Sequence, residues 1–266
     1  AREPYFDFLA IRFTIAAALL IAIKPKTIKQ NLNKKTTIQG LGLGVILGLG
    51  YVTQTIGLEK STAAITGFFT GLYVVLTPIL SWLLVKKKIS KKVILGVALA
   101  TAGLALITIT SLGFDAGAIA LLACALLFAL HIVGLGQWSP NQDTYTLTML
   151  QLAAVAAVCW MGGLTDGFQP PPDFDVWAAV LFCAVFATAI AFLVQTWAQA
   201  HMDASRVAII LTSEVVFAAA FSVLAGQETL KLQTIIGGTL MVLAMLIVEW
   251  PSRSKADEPF IDPMVH

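Results

Sequence analysis

Two charged side chains lie inside long apolar stretches of this sequence. Glu214 stands about nine residues into the stretch 205–225, and Arg12 about six residues into the stretch 6–23. A charge near the centre of a bilayer costs at least ~2.5–3.5 kcal/mol, so both residues call for an explanation. Glu214 is predicted to bind a substrate amine or exchange a coupled proton, or else to be a protonated or hydrogen-bonded carboxyl between helices. Arg12 is predicted to bind a substrate carboxylate or pair with Glu214, or else to reach back to the outer interface.

Uncharged polar side chains add hydrogen-bonding groups to the same apolar stretches. Gln54 and Gln195 each offer a donor and an acceptor to a polar substrate, or else hold helices together. His131 is either a proton shuttle or a neutral, hydrogen-bonded residue. Aromatic residues in these stretches either line a cavity for an apolar or aromatic substrate or belong to the interfacial belt. The candidate substrate-binding or coupling residues are Glu214, Arg12, Gln54, Gln195, His131, Tyr73, Gln151 and Trp197.

The apolar stretches themselves define the fold class. Of the 266 residues, 58% are hydrophobic and only 12% are charged, whereas soluble domains carry roughly 25% charged residues. A membrane-spanning helix needs about 20 apolar residues, and lipid leaves no partner for an unpaired backbone group. We therefore predict an all-α, polytopic membrane helix bundle. Its nine predicted spans are 6–23, 38–58, 62–85, 93–112, 116–138, 144–164, 176–200, 205–225 and 232–250.

Other classes of function lack the residues that they require. An intramembrane enzyme needs a nucleophile with a base, paired carboxylates or metal ligands, yet only Glu214 is an acid deep in a span. The string GLGLGVILG lacks the preceding strand of a dinucleotide loop. Its glycines at 40, 44 and 48 recur every four residues, which predicts close helix packing. We expect no catalytic residue, no metal, no cofactor and no nucleic-acid partner, and the cysteines at 124, 159 and 183 are expected to be packing residues.

The basic residues predict how the bundle is oriented. Five lysines lie within 24–35 and five more in KKKISKK at 86–92, and such linkers stay on the cytoplasmic side. We therefore expect a cell (inner or plasma) membrane protein with residue 1 outside and a disordered cytoplasmic tail at 251–266. A chain that starts outside without a signal peptide is expected to follow a further span upstream of residue 1.

The sequence also contains a weak internal repeat. At a shift of 141 residues Gln54 falls on Gln195, and the polar breaks between spans superpose. The second unit, 114–250, has five predicted spans, and the first, 1–113, has four, so ten helices are expected with the first one absent. Because five is odd, successive five-helix units enter the membrane in opposite senses. Inverted repeats of this kind are typical of secondary transporters, whose substrate site lies near the midplane.

Three segments carry a resemblance to a known family: FLAIRFTIAAALL from residue 8, TAAITGFFTGLYVVLTPILSWLL from residue 62, and ASRVAIILTSEVVFAAAFSVLAGQETLKLQTIIGGTLMVLA from residue 204. They resemble the EamA-type transporters of the drug/metabolite transporter superfamily, which contain two five-helix units. Members show an acid-Pro pair, then Gly-Glu, then a glycine in the last helix. Here Val215 follows Glu214, Gln227 separates Gly226 from Glu228, and Gly237 is kept.

The resemblance implies export or exchange of small polar metabolites, such as amino acids, by alternating access. A non-transporting membrane partner or receptor and a passive channel are the alternatives. The expected partners are a small-molecule substrate and the lipid bilayer, with protons as a candidate coupling ion. Both a monomer and a homodimer stay open.

Overall fold

The computed structural model describes residues 5–61, 63–108, 116–163, 168–224 and 232–250, and this part of the chain contains helices and no strand. The predicted all-α fold is therefore confirmed. The α-helices are α1 (Tyr5–Ile23), α2 (Pro25–Asn31), α3 (Lys34–Lys60), α4 (Ala63–Gly71), α5 (Tyr73–Val85), α6 (Lys91–Thr108), α7 (Ala116–Trp138), α8 (Thr144–Gly163), α9 (Phe174–Ala184), α10 (Ala191–His201), α11 (Ala204–Leu211), α12 (Ser213–Leu224) and α13 (Leu232–Glu249). A 3-10 turn (Ser139–Asn141) follows α7, and a π-helix (Val185–Ile190) joins α9 to α10.

The described helices include eight segments long and apolar enough to cross a membrane, which confirms a polytopic bundle. They coincide with eight of the nine predicted spans. The remaining prediction, 93–112, corresponds to α6, which is helical to Thr108. Residues 109–112 and the predicted tail 251–266 lie outside the described residues. The eight segments are Tyr5–Ile23, Lys34–Lys60, Ile65–Val85, Gly117–Asn141, Thr144–Gly162, Phe174–His201, Ala204–Phe221 and Leu232–Glu249.

Side-chain caps fix where two of the spanning helices begin. The Asn33 side chain accepts a hydrogen bond from the Thr36 backbone N–H at 3.0 Å at the start of α3. Asp173 does the same for the Val176 N–H at 2.9 Å at the start of α9. Such caps pair backbone donors that the first helical turn leaves free.

The glycine stripe of α3 lets this helix touch α8. A methyl group added at Gly44 would press directly on the carbonyl oxygen of Gln151 and lie 2.9 Å from its Cα. One added at Gly40 would lie 2.6 Å from the Leu150 Cβ atom. Only a residue without Cβ permits two helix backbones to come this close. The predicted packing role of these glycines is confirmed.

A second backbone contact joins α6 to α13. A Cβ atom built on Gly103 would lie 2.5 Å from the Gly237 carbonyl oxygen, and one built on Gly237 would lie 2.6 Å from the Gly103 carbonyl oxygen. The surrounding residues Ala100 and Ala244 are fully buried. Small residues at this crossing therefore place the two backbones in van der Waals contact.

Three of the helical segments are irregular at their centres. Leu72 separates α4 from α5, and Thr212 separates α11 from α12. At both breaks the backbone bonds tighten: the Leu72 N–H donates to the Phe69 carbonyl and the Thr212 N–H to the Ile209 carbonyl, each at 3.2 Å. The third irregularity is the π-helix. Interrupted helices and π-bulges in membrane proteins often mark binding sites, since they expose backbone groups and re-aim side chains.

Candidate functional site

A cavity of about 530 Å³ opens beside these irregular segments, and we call it the central cavity. Its walls come from α1, α3, α4, α5, α7, the π-helix, α10, α11 and α12, so it lies within the bundle. It is lined by Arg12, Leu47, Tyr51, Gln54, Thr70, Tyr73, Phe128, His131, Ile132, Ala187, Ala191, Phe192, Gln195, Leu211 and Glu214.

The central cavity gathers most of the residues that the sequence singled out. Predicted residues from both halves of the sequence thus reach one space, although they lie up to about 200 residues apart in the chain. Those that line the cavity are Arg12, Gln54, Tyr73, His131, Gln195 and Glu214. Gln151 and Trp197 are placed elsewhere.

Arg12 is held against the π-helix. Its Nε donates to the Thr188 Oγ1 at 2.6 Å, and its Nη2 to the Ala187 carbonyl oxygen at 3.4 Å. The Thr188 hydroxyl in turn donates to the Cys183 carbonyl at 2.8 Å, five residues earlier, which fits the wider turn of a π-helix. These partners hold Arg12 in place of the Glu214 pairing that was one of its two predicted roles. The guanidinium therefore keeps donor groups for the cavity, because it has five in all.

Glu214 lies at the opposite kind of element, in the first turn of α12 directly after the break at Thr212. Its side chain is exposed and contributes to the cavity wall. A carboxylate near a helix start is favourably placed for the partial positive charge of that helix end. The broken helix therefore gives an acidic side chain a supported position inside the membrane span.

The two repeated glutamines have unequal surroundings. Gln54 Nε2 lies 3.5 Å from the Thr70 Oγ1, a long contact on the cavity wall. Gln195 Nε2 donates to the Gln199 Oε1 at 3.2 Å, and Gln199 Nε2 donates to the Ile132 carbonyl at 2.6 Å. Gln195 thus belongs to a chain of hydrogen bonds that ties α10 to α7, while Gln54 is freer to bind a ligand.

His131 and Gln151 form a buried pair. The His131 Nε2 and the Gln151 Oε1 are 2.7 Å apart, and both side chains are almost fully buried. Gln151 Nε2 donates to the Leu147 carbonyl at 3.2 Å and lies 3.5 Å from the Thr196 Oγ1. Because the Gln151 amide oxygen can only accept, this arrangement requires His131 Nε2 to carry the proton. Gln151 therefore stands behind the cavity wall and fixes His131.

Trp197 faces away from the central cavity. Its side chain is 56% exposed and lines a separate outer groove with Tyr145 and Val194. Its ring centroid lies 4.9 Å from that of His201, in the last turn of α10. This position corresponds to the interfacial-belt alternative that the sequence left open.

Several cavity residues escaped the sequence interpretation. Tyr51 packs its ring 5.4 Å from the Phe128 ring and 5.0 Å from the Phe13 ring, measured between centroids. Phe192 lies 6.5 Å from the His131 ring. These residues give the cavity an aromatic wall. Tyr51 and Phe192 are themselves 141 residues apart, and that repeat spacing was the available signal.

An all-helical membrane bundle around a cavity with charged walls is typical of transporters. The sequence matches the EamA-like transporter family over residues 1–109 and 115–250. The chain therefore belongs to the EamA-like transporter family, and it is a multi-pass membrane transporter rather than an enzyme. The predicted family is confirmed, and it implies a small-molecule substrate and a lipid bilayer as partners.

Individual relatives agree with this assignment. An uncharacterized transporter of Archaeoglobus fulgidus is 34% identical over 244 residues, which are 91% of this chain and 76% of the relative. The uncharacterized transporter YyaM of Bacillus subtilis is 26% identical, covering 89% of this chain and 82% of the relative. One crystal structure superposes with a TM-score of 0.80 at 19% identity, covering 92% of this chain and 87% of the other, and shows a shared fold.

Proposed function

We propose that this protein transports small molecules that carry both an amine and a carboxylate, such as amino acids, through the central cavity. The observation that carries the proposal is that Arg12 and Glu214 line one cavity inside a membrane bundle. A carboxylate pairs with the guanidinium and an ammonium with the carboxylate, each through charge-assisted hydrogen bonds. A dipolar ligand would compensate two charges that are each costly within a membrane.

The size and lining of the cavity support a ligand of this class. Ligand pockets typically occupy roughly 300–1,000 Å³, and the central cavity has about 530 Å³. Tyr51, Phe128 and Phe192 supply aromatic surface, which suits an apolar or aromatic substituent on the ligand. Gln54 and Tyr73 add groups that orient the polar end.

The lining of the cavity also supports two halves in inverted orientation, with a boundary near residue 113. Lining residues recur in pairs at the repeat spacing of 141 residues. A cavity on the approximate twofold axis of an inverted repeat would be lined in this paired way. The two family matches fall on either side of the proposed boundary. The pairs are Tyr51 with Phe192, Gln54 with Gln195, Thr70 with Leu211, and Tyr73 with Glu214.

Contacts between α6 and α13 support the same symmetry. Adding 141 to a residue number in α6, or subtracting it in α13, converts the neighbours of one glycine into those of another. Such reciprocity is expected of two helices related by a twofold axis. The contacts are those of Gly96 with Ala244 and Val248, and of Gly237 with Gly103 and Ile107.

An inverted repeat around a midplane site supports alternating access. We propose that the protein works as an exporter or exchanger in the cell membrane, with both lysine-rich linkers and the C-terminus on the cytoplasmic side. Glu214 is the proposed proton-coupling group. A receptor or partner that binds without transporting is the second candidate.

Proteoliposomes containing the purified protein test the proposal. Labelled phenylalanine and leucine are expected to exchange across the membrane, whereas phenylethylamine and 3-phenylpropionate, which each lack one charged group, are expected to do so poorly. Removing a hydrogen bond to a charged group costs about 1.5–3 kcal/mol, so Arg12→Gln and Glu214→Gln should each reduce the rate at limiting substrate by about tenfold or more. Trp197→Phe, outside the cavity, is the control. Equal transport of all four compounds would contradict the dipolar site, and binding without exchange would favour the receptor.

A further inference from the structure

A second cavity of about 340 Å³ lies at the end of the bundle that carries the lysine-rich 86–92 loop, and we call it the vestibule. Its lining is strongly polar and charged. Lys87 and Lys88 come from the loop between α5 and α6, and Asp203 and Arg206 come from the start of α11. A charged mouth of this kind attracts small charged solutes from water.

The vestibule continues the line of the central cavity along the same helices. On α10, Gln195 lines the central cavity and Gln199 the vestibule, and on α7 the same division falls between Ile132 and Gly136. At a rise of about 1.5 Å per residue, four residues correspond to about 6 Å. The two spaces are therefore separated by about one helical turn.

The partition between them is closed in this structure. Val74 and Ala208 are fully buried there, and Val133 is only 5% exposed. Gln199, 1% exposed, accepts from Gln195 and donates to the Ile132 carbonyl oxygen. A solute in the central cavity thus meets packed side chains and a satisfied hydrogen-bond chain in the direction of the vestibule.

An ion pair spans the vestibule outside this partition. The Lys87 Nζ contacts the Asp203 carboxylate, and the two residues are 116 positions apart in the chain. Lys87 belongs to the first proposed half and Asp203 to the second. Their side chains remain 55% and 47% exposed, so water reaches both groups. A pair of this kind is weak enough to break and re-form during a transport cycle.

We propose that the Lys87–Asp203 ion pair is the latch of a gate on the lysine-rich face, and that the vestibule is the mouth through which substrate passes when this gate opens. The inference rests on the proposed transport function. With the pair formed, α11 is held against the α5–α6 loop, and the partition at Gln199 stays closed. Breaking the pair frees the α10–α11 corner, which carries Asp203 and follows Gln199 in the chain.

Thiol labelling tests the gate without knowledge of the substrate. The reporter is Leu211→Cys, in the wall of the central cavity, within a background in which Cys124, Cys159 and Cys183 are replaced by alanine. A membrane-impermeant cationic methanethiosulfonate is added to vesicles that expose the lysine-rich face, and Lys88→Cys labelling in parallel identifies those vesicles. Leu47→Cys, also in the cavity wall, serves as a second reporter so that one defective variant does not decide the result.

Lys87→Glu is expected to raise the labelling rate by about fivefold or more, since exposed ion pairs contribute about this factor. The exchanged pair Lys87→Asp with Asp203→Lys should return the rate to that of the parent. Lys88→Glu makes the same change in net charge one residue away, and the parent rate is expected there. The gate is overturned if Lys87→Glu leaves the rate unchanged, if the exchanged pair stays fast, or if Lys88→Glu is equally fast. Exchange measured in proteoliposomes is read separately, so a failed gate and a failed transport function give different results.

Discussion

Two glycines of α3, only two residues apart, differ in what a methyl group would meet. At Gly42 no atom lies within 4 Å of an added Cβ. At Gly44 the added Cβ would press on the Gln151 carbonyl oxygen and lie 2.6 Å from the Ala154 Cβ and 2.9 Å from the Gln151 Cα. Gly44→Ala therefore forces α3 and α8 apart, whereas Gly42→Ala does not.

The two substitutions share their local effect on the helix, so their difference isolates the packing contact. Alanine is favoured over glycine by about 0.8–1 kcal/mol in a helix interior, and this gain applies at both positions. Overpacking costs about 1–3 kcal/mol, and the upper part of this range applies at Gly44, because the obstacle is backbone. We expect a gain of about 1 kcal/mol for Gly42→Ala and a net loss of about 2 kcal/mol for Gly44→Ala.

Thermal unfolding of the two purified variants in one detergent measures the difference. A change of 1 kcal/mol shifts the midpoint by roughly 2–4 °C for a protein of this size class, so the variants should differ by roughly 6–12 °C. Gly42→Ala is the internal control for expression, detergent and helix propensity. Midpoints that agree within error would refute the close approach of α3 to α8.

Three further variants test the site and one helix start. Glu214→Gln is expected to abolish the pH dependence of exchange in proteoliposomes, and an unchanged pH profile would reject the coupling role. Gln151→Leu should leave the buried His131 Nε2 without a partner and lower stability by about 1–3 kcal/mol, whereas adding His131→Phe should recover much of this loss, as thermal unfolding will show. Asn33→Ala should cost about 1 kcal/mol and speed hydrogen exchange at the Thr36 amide, while Asn33→Asp should keep both near the parent values.

The spanning helices could be predicted because lipid imposes a simple rule. Each predicted span is an apolar stretch of about 20 residues, the length that crosses a bilayer. The seven-residue α2 (Pro25–Asn31) was not predicted, since a short polar helix between spans has no apolar pattern to reveal it. The breaks at Leu72 and Thr212 were also missed, because their neighbours are good apolar helix residues and the interruption follows from packing.

The candidate site was predictable where charge or polarity is costly in lipid. Arg12 and Glu214 stand out for that reason, and both line the central cavity. Tyr51 does not stand out, because an aromatic residue in an apolar span looks like ordinary packing. Gln151 was chosen as the repeat counterpart of Arg12, but its side chain bonds His131 behind the wall, since side-chain direction is not visible in spacing.

The crossing of α6 and α13 restricts how the bundle can change shape. The backbones at Gly103 and Gly237 touch, so these two helices cannot move closer, and sliding along each other would drive side chains into the opposing main chain. Any motion that admits water from alternate faces must leave this seam intact. The seam then serves as a fixed pivot, about which the remaining helices rock.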